Sequence, residues 1–537
     1  MNPKSNLIFN PRSLMRFSRK TLLTLTAASA VLLGGTAACT DLNETPPSAL
    51  SPDTFYSTDA QVLGAVAGGY STLKGVMWGY YNIESIAADE MLVPTRGQDW
   101  YDNGRWLEMF KQGWTPTSGL GVADINDLYN TLSGGIAVVN ATLNAPALTA
   151  ASLPPARATM KAELRALRAW YYFMMLDMWG GVPIVTDAQV GIQRPRNTEV
   201  ETFNFIETEL KAAKADLPAT WNAANYGRLT KGAVNAMLAS LYLNAQVFTG
   251  ALTPAGITLG TARWTEASAY ADSVINSGIY TMQSQANWIK NFTADNLNSP
   301  EIIFAVRNRA VQDQGMTVPM RGSHYNQPQG GWNGFALLAK VYTQLDSVTA
   351  PDVRRSAIQI GQQVDFSGAN VKDRQGNPLV FTLNIADITA AKENEGPRMF
   401  KFQYNAGDPA PVGGNYQNDF PFFRLAEMYL IKAEAQNELG NTAAGIAAMN
   451  VVKVRAQGAL GAYSGAATQV AVRTELFVER QRELAGEAKR RQDAVRGGFF
   501  VQAVQYRPGA SPSNKVRMPI PNPQLQTNPL LTQNAGY

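Results

Sequence analysis

The chain has one cysteine and one histidine in 537 residues. A disulfide framework within the chain and a Cys/His zinc cluster are thereby excluded. Ser-His-Asp chemistry would have to use His324, and no nucleophile-elbow motif accompanies it. A P-loop and a dinucleotide fingerprint are also missing. Charge is sparse: 16% of residues are charged, and much of the net +4 sits in Lys4, Arg12, Arg16, Arg19 and Lys20. Without that leader the body is nearly neutral, so there is no electrostatic case for nucleic-acid binding. No apolar run is long enough for a confident membrane span. Carboxylate-only chemistry, such as glycoside hydrolysis, survives these exclusions because Asp and Glu are abundant.

Aromatic residues are plentiful: 20 Tyr, 10 Trp and 21 Phe, in a chain that is 45% hydrophobic, suit a large globular core. Residues 1–38 read as a signal peptide, with Arg16, Arg19 and Lys20 before the apolar run Thr21–Leu33. Small residues then lead to Cys39, the expected lipidation site of a bacterial lipoprotein, although Thr36 stands where such signals usually carry Leu. Cleavage after Ala38 by an ordinary signal peptidase also fits, and Met15 would open a signal of more usual length. Residues 39–52 are polar and contain Pro46, Pro47 and Pro52, as a tether would. Residues 53–537 are expected to form a single domain, its helical scaffold mainly in 53–290 and 419–537, with a loop-rich insertion over about 291–418.

The organising stretch is Ala162–Asp187, AELRALRAWYYFMMLDMWGGVPIVTD. Leu164, Leu167, Tyr171, Met174, Met175 and Met178 recur at helical spacing, and Gly180-Gly181 followed by Pro183 ends the helix. Further helices are expected over Asp59–Leu73, Leu128–Leu143, Thr202–Leu217, Thr230–Phe248 with Thr230 as N-cap, Trp264–Ser277, Arg424–Leu439, Ala443–Arg455 and Thr474–Arg496. Leu167/Tyr171, Leu238/Tyr242 and Leu425/Tyr429 share a Leu-to-Tyr spacing of four, a weak repeat suited to tetratricopeptide-like helix pairs. Glu301–Val306 reads as a strand, and Lys372–Pro378 as a hairpin tip. Prolines 519, 521, 523 and 529 predict an extended tail.

Binding candidates are aromatics in polar, aperiodic surroundings. Trp100 and Tyr101 lie beside Arg96, Asp99 and Asn103; Tyr325 and Trp332 lie beside His324, Asn326 and Asn333. Flat rings with planar polar neighbours suit stacking on sugar rings. His324 is expected to be a solvated loop residue, Asp89-Glu90 a polar helix end, and Glu479, Arg480, Arg482, Glu483 and Glu487 a salt-bridged helix face.

Four ordered stretches resemble the SusD/RagB family of surface nutrient-binding lipoproteins: Leu164–Pro183, Asp419–Glu434, Glu479–Glu487, and the end of the chain with Pro519-Ile520-Pro521, Asn528-Pro529 and Gln533–Tyr537. The family typically has Pro where Ala535 stands. The resemblance implies a mainly α fold, a tetratricopeptide-like scaffold with a loop-rich second part carrying short strands. It also implies a non-catalytic protein, anchored in the outer membrane, delivering oligosaccharide or sometimes peptide to a SusC-like TonB-dependent transporter; the sequence assigns no cofactor and no metal ligand, and leaves a structural calcium open. A secreted carboxylate-dependent glycosidase and a helical adaptor that binds only protein are the alternatives.

Overall fold

The computed structural model describes residues 56–189, 191–345 and 350–537. The expected signal peptide, Cys39 and tether lie outside them. The longer helices are α1 (Asp59–Ile86), α2 (Asn126–Leu143), α3 (Pro155–Trp179), α4 (Glu199–Asp216), α5 (Lys231–Leu243), α6 (Trp264–Ile275), α7 (Leu425–Glu438), α8 (Thr442–Gln457), α9 (Gln469–Leu484) and α10 (Arg490–Arg496). Local signals set their starts. Thr58 and Gln61 form a capping box on α1, Thr198 and Glu201 another on α4, and the Thr230 hydroxyl accepts from the Ala233 N–H at 3.1 Å to open α5.

From α1 to α8, leaving aside shorter pieces, each helix packs on the next, and α6 packs on α7 although about 150 residues intervene in sequence. The three helices carrying the Leu-to-Tyr repeat are α3, α5 and α7, paired with α4, α6 and α8. Tetratricopeptide-like pairing is therefore present, spread across the chain. The mainly α fold is as expected.

α3 holds the centre. The sequence shows one apolar face, yet every residue from Ala166 to Trp179 is buried, because α1, α2 and α4 enclose the helix while Phe422 and Phe423 pack on Trp170. Arg168 is buried too, paired with Glu209 at 2.5 Å and donating to Asn140 at 2.7 Å. The exit needs glycine twice. Gly180 has φ +79°, and a Cβ on Gly181 would lie 2.1 Å from the Asn197 carbonyl oxygen. Arg196 and the chain's last residues clamp this exit: the Asn534 amide donates to Trp179 O (2.9 Å) and Met518 O (2.7 Å), and Arg196 donates to Trp179 O and to Asn534.

Three expectations need correcting. The helix expected over Thr474–Arg496 is two helices, α9 and α10, because Gly486 and Ala488 take left-handed backbone at φ +78° and +55°. Lys401 Nζ donates to Glu483 O and Ala485 O, satisfying carbonyls freed at that break. The Thr230–Phe248 helix is interrupted at Asn244, with a separate turn over Ala245–Phe248. The tail is not wholly extended: Asn522–Thr527 is helical, with Pro523 in the first turn, where a missing N–H costs nothing.

The strands among the described residues are short. β1 (Ile302–Val306) pairs antiparallel with β2 (Phe420–Arg424), and the two-residue strand Met91–Leu92 pairs with Ala336–Leu337. The face expected on α9 is salt-bridged but lies in the interior. Arg424 contacts Glu301 at 2.8 Å, Glu483 at 2.5 Å and Glu487 at 2.7 Å; Arg354 contacts Asp352, Glu479 and Glu483; Lys401 contacts Glu487. Arg424, Glu301 and Glu483 have no measurable exposure. Opposed charges surround each charged group, so Glu483 stays well below the usual carboxylate range although burial pushes it the other way.

Candidate functional site

The loop after Pro94 is folded back by its own backbone, with Arg96 and Asp99 exchanging N–H···O bonds of 2.9 and 3.0 Å. Beyond this bridge, Trp100, Asp102 and Asn103 all adopt positive φ, at +62°, +40° and +56°. Left-handed backbone is uncommon for a bulky residue such as Trp and marks a place where surrounding structure imposes the conformation. Here the indole is the cause. Trp100 Nε1 donates to Trp332 O at 2.6 Å, and the ring lies so close over Gly334 that a Cβ there would meet it at 2.3 Å. The Trp332 N–H in turn donates to Met320 O at 2.7 Å.

The two sequence-predicted patches, more than 200 residues apart, therefore meet. They form a shallow trough of about 390 Å³ lined by Trp78, Asp99, Trp100, Asp102, Arg105, Trp106, Tyr325, Gly331 and Trp332. Trp106 is its buried floor, fixed by donating to Asp102 at 2.6 Å and packed edge-on under Trp100 and Trp78. Trp100 and Trp332 stand 6.4 Å apart with their planes tilted by 45°, so the aromatic surface is curved rather than flat. Trp78, on the exposed flank of α1, is 38% exposed.

Charged groups frame one wall. Tyr325 OH donates to Asp99 at 2.5 Å, and the Arg374 guanidinium lies 4.3 Å over the Tyr325 ring while contacting Asp99 at 3.2 Å and pairing with Glu393. Burial and the Asp99 carboxylate both raise the Tyr325 pKa, so the phenol remains a donor. Glu393 also contacts His324 Nε2 at 3.1 Å. Burial opposes ionisation of Glu393, but the Arg374 and His324 donors outweigh it and hold its pKa low. For His324 burial dominates and lowers its pKa.

Of the eight candidates, Asp99, Trp100, Tyr325 and Trp332 line the trough. Tyr101 and Asn103 are exposed nearby without lining it. Arg96 and Asn333 are corrected to supporting roles: both are buried, Arg96 donating to Lys392 O and Glu395 O, Asn333 donating to Glu393 O and accepting from Arg398. His324 is buried, not solvated. Asp89 and Glu90 are likewise interior, Asp89 paired with Arg490 at 2.6 Å and Glu90 accepting from the Gly486 N–H at 3.0 Å. Sequence reasoning missed Trp78, Asp102, Arg105, Trp106 and Arg374. Asp102 lay within the polar loop already singled out, whereas Trp78 sits in a helical pattern and Arg374 in a hairpin tip, with nothing local to join them to Trp100.

Two family models match separate parts of the chain. One described as "SusD family" matches residues 300–537, and one described as "Starch-binding associating with outer membrane" matches residues 82–243. The chain belongs to the SusD/RagB family. The starch-binding protein SusD of Bacteroides thetaiotaomicron is 26% identical over 95% of this chain and 98% of its own length. SusD-like protein P25 of Formosa agariphila is 25% identical over 92% and 96%. A SusD-like protein from Bacteroides fragilis superposes with a TM-score of 0.72 at 20% identity, covering 90% of this chain and 98% of its own. Surface glycan-binding protein A of B. thetaiotaomicron, in complex with laminarihexaose, gives 0.68 at 22% identity over 89% and 100%. In this SusD/RagB chain the terminal residues have a visible physical task. Asn534 binds the exit of α3, Gln533 brackets both backbone groups of Ile520 (2.7 and 2.8 Å), and Tyr537 OH donates to Arg517 O at 2.7 Å.

Proposed function

We propose that this chain is a surface-held glycan-binding protein that captures an oligosaccharide in the aromatic trough without chemically changing it. The observation that carries the reading is the convergence of Trp78, Trp100, Tyr325 and Trp332, from three separate segments, on one open curved surface edged by Asp99, Asp102 and Arg105. Aromatic faces stack on the apolar faces of sugar rings, and carboxylate and guanidinium groups suit hydroxyls at the rim. Relatives named for starch binding, and one seen with laminarihexaose, agree with this ligand class. Both trough carboxylates already accept hydrogen bonds from protein donors, Asp99 from Tyr325 and Asp102 from Trp106, which suits positioning more than proton transfer.

The anchoring belongs to the same proposal: residues 1–38 as signal peptide, Cys39 as the lipidated residue, residues 39–52 as tether, and residues 53–537 as one SusD-like domain at the outer membrane. A SusC-like TonB-dependent transporter would receive the ligand. Calorimetry of the purified protein against starch, laminarin and other polysaccharides, with a peptide panel alongside, tests the ligand class. Binding of a glycan that Trp332→Ala weakens supports it. Peptide binding with silence toward every glycan overturns it.

A further inference from the structure

A second concave surface lies beside β1, apart from the aromatic trough. Two hollows of about 300 and 130 Å³ share Tyr226, Gly227, Arg228 and Ala305, so they form one groove. Leu63 and Val66 of α1 wall one end, and Ile279 lies at the other.

The strand beside this groove is only half paired. β1 belongs to a two-stranded sheet whose other member is β2. Ala305 stands opposite Pro421, which has no N–H, so the ladder bonds run through its neighbours and the N–H and C=O of Ala305 point away from β2. The ladder is irregular beyond it: its register shifts between Phe423 and Arg424, leaving Ile303 as a bulge residue without a partner of its own in β2. No hydrogen bond from another segment reaches the Ala305 N–H or C=O among the described residues. Ala305 is buried, where an unpaired backbone group is costly. The Tyr226 hydroxyl, also in the groove wall, is buried without a partner.

The groove's rim has a charge surplus. Arg307 makes one ion pair among the described residues, a 4.0 Å contact to the buried Asp419. Lys74 lines the groove and donates to Gln314 O, and burial together with the nearby Arg309 charge lowers the Lys74 pKa, so a second and third cation adjoin this rim. Arg228 alone is fully engaged, by Glu163.

We infer that this groove receives an extended polypeptide segment of a partner protein, bearing alternating apolar and acidic side chains, which adds as a further strand to the free edge of β1. Backbone pairing supplies register-independent attraction, the hollows take apolar side chains, and Arg307, Lys74 and Arg309 select carboxylates. This inference does not depend on what occupies the trough.

The test uses the full chain and two end-capped peptides, one of alternating Val and Glu and one of alternating Val and Lys. Fluorescence of Trp221, which lines the smaller hollow, reports binding, and hydrogen exchange maps it. The acidic peptide is expected to bind about tenfold tighter or more than the basic one, to lose that preference in Arg307→Glu, and to slow exchange across 302–306. Arg307→Glu retains glycan binding, and Trp332→Ala retains peptide binding, so the two sites fail separately. Absence of binding by either peptide overturns the inference, as does equal affinity for both. Protection confined to 320–333 overturns it as well, because the peptide would then occupy the trough.

Discussion

Two charged clusters in this molecule use the same residue types to opposite ends. Around Arg424, three carboxylates and neighbouring cations are sealed from water, and each side chain is surrounded by opposite charge. Around Arg374, the arginine is 46% and Asp99 38% exposed, and the guanidinium lies over the Tyr325 ring at the trough wall. In the first cluster the charges satisfy one another and hold the insertion to the helices. In the second they leave ring faces and oxygen atoms pointing outward. Residue type alone does not distinguish scaffold from site; access to water does.

The comparison breaks most readily at the buried cluster. Arg424→Met leaves Glu301, Glu483 and Glu487 facing one another without their central cation. It is expected to cost about 3–5 kcal/mol in denaturant unfolding. A loss below about 1 kcal/mol would show that water reaches the cluster and that the contrast is false.

Next in size is the trough. Trp332→Ala is expected to weaken glycan binding by about 2 kcal/mol, roughly 30-fold, while the unfolding midpoint changes little. An equal fall in stability and affinity would make Trp332 a packing residue.

Glu90 lies at the margin of the buried cluster without a direct cation, and burial raises its pKa to about 7. The folded state therefore holds the proton more tightly than the unfolded chain. Its contribution is complete below about pH 4.3 and is lost as pH rises through 7. Glu90→Gln should remove this term, so that stability between pH 5 and 8 falls by about 2–3 kcal/mol less than in the parent chain. Parallel pH profiles for the two proteins would refute it.

The smallest effect is expected at the exposed pair. Arg374→Ala should alter stability by less than about 1 kcal/mol, as partly exposed ion pairs do. It should still lower glycan affinity severalfold by freeing Tyr325 and Asp99. Calorimetry and thermal unfolding on the same samples separate the two readouts.

Much of the scaffold was legible because its signals are local. Thr230 caps its helix through a residue three positions on, Gly180-Gly181 stops α3 where expected, and the repeat marks helices that do pair. The site was legible only in halves. Trp100 and Trp332 each stood out by lying off any apolar period, but their meeting depends on a hydrogen bond across the fold and on the space at Gly334. The alternating charges of Glu479–Glu487 read equally well as a wet face, since the partners that bury them, Arg354, Lys401 and Arg424, lie far away in sequence. Arg96 and Asn333 misled for a related reason: polar side chains near a binding loop also tie its backbone from beneath.

The trough's composition also sets an order of events in synthesis. Helices α1 to α6 can dock in turn as they are made, each on a neighbour already present. The trough cannot close until Trp332 reaches Trp100, and its charged wall waits for Arg374. Non-local closure of this kind is slow compared with pairing of adjacent helices. Pulse-labelled exchange during refolding should therefore find α2 and α3 protected while the Trp100 loop still exchanges freely, so the aromatic trough is among the last parts of the nascent protein to mature.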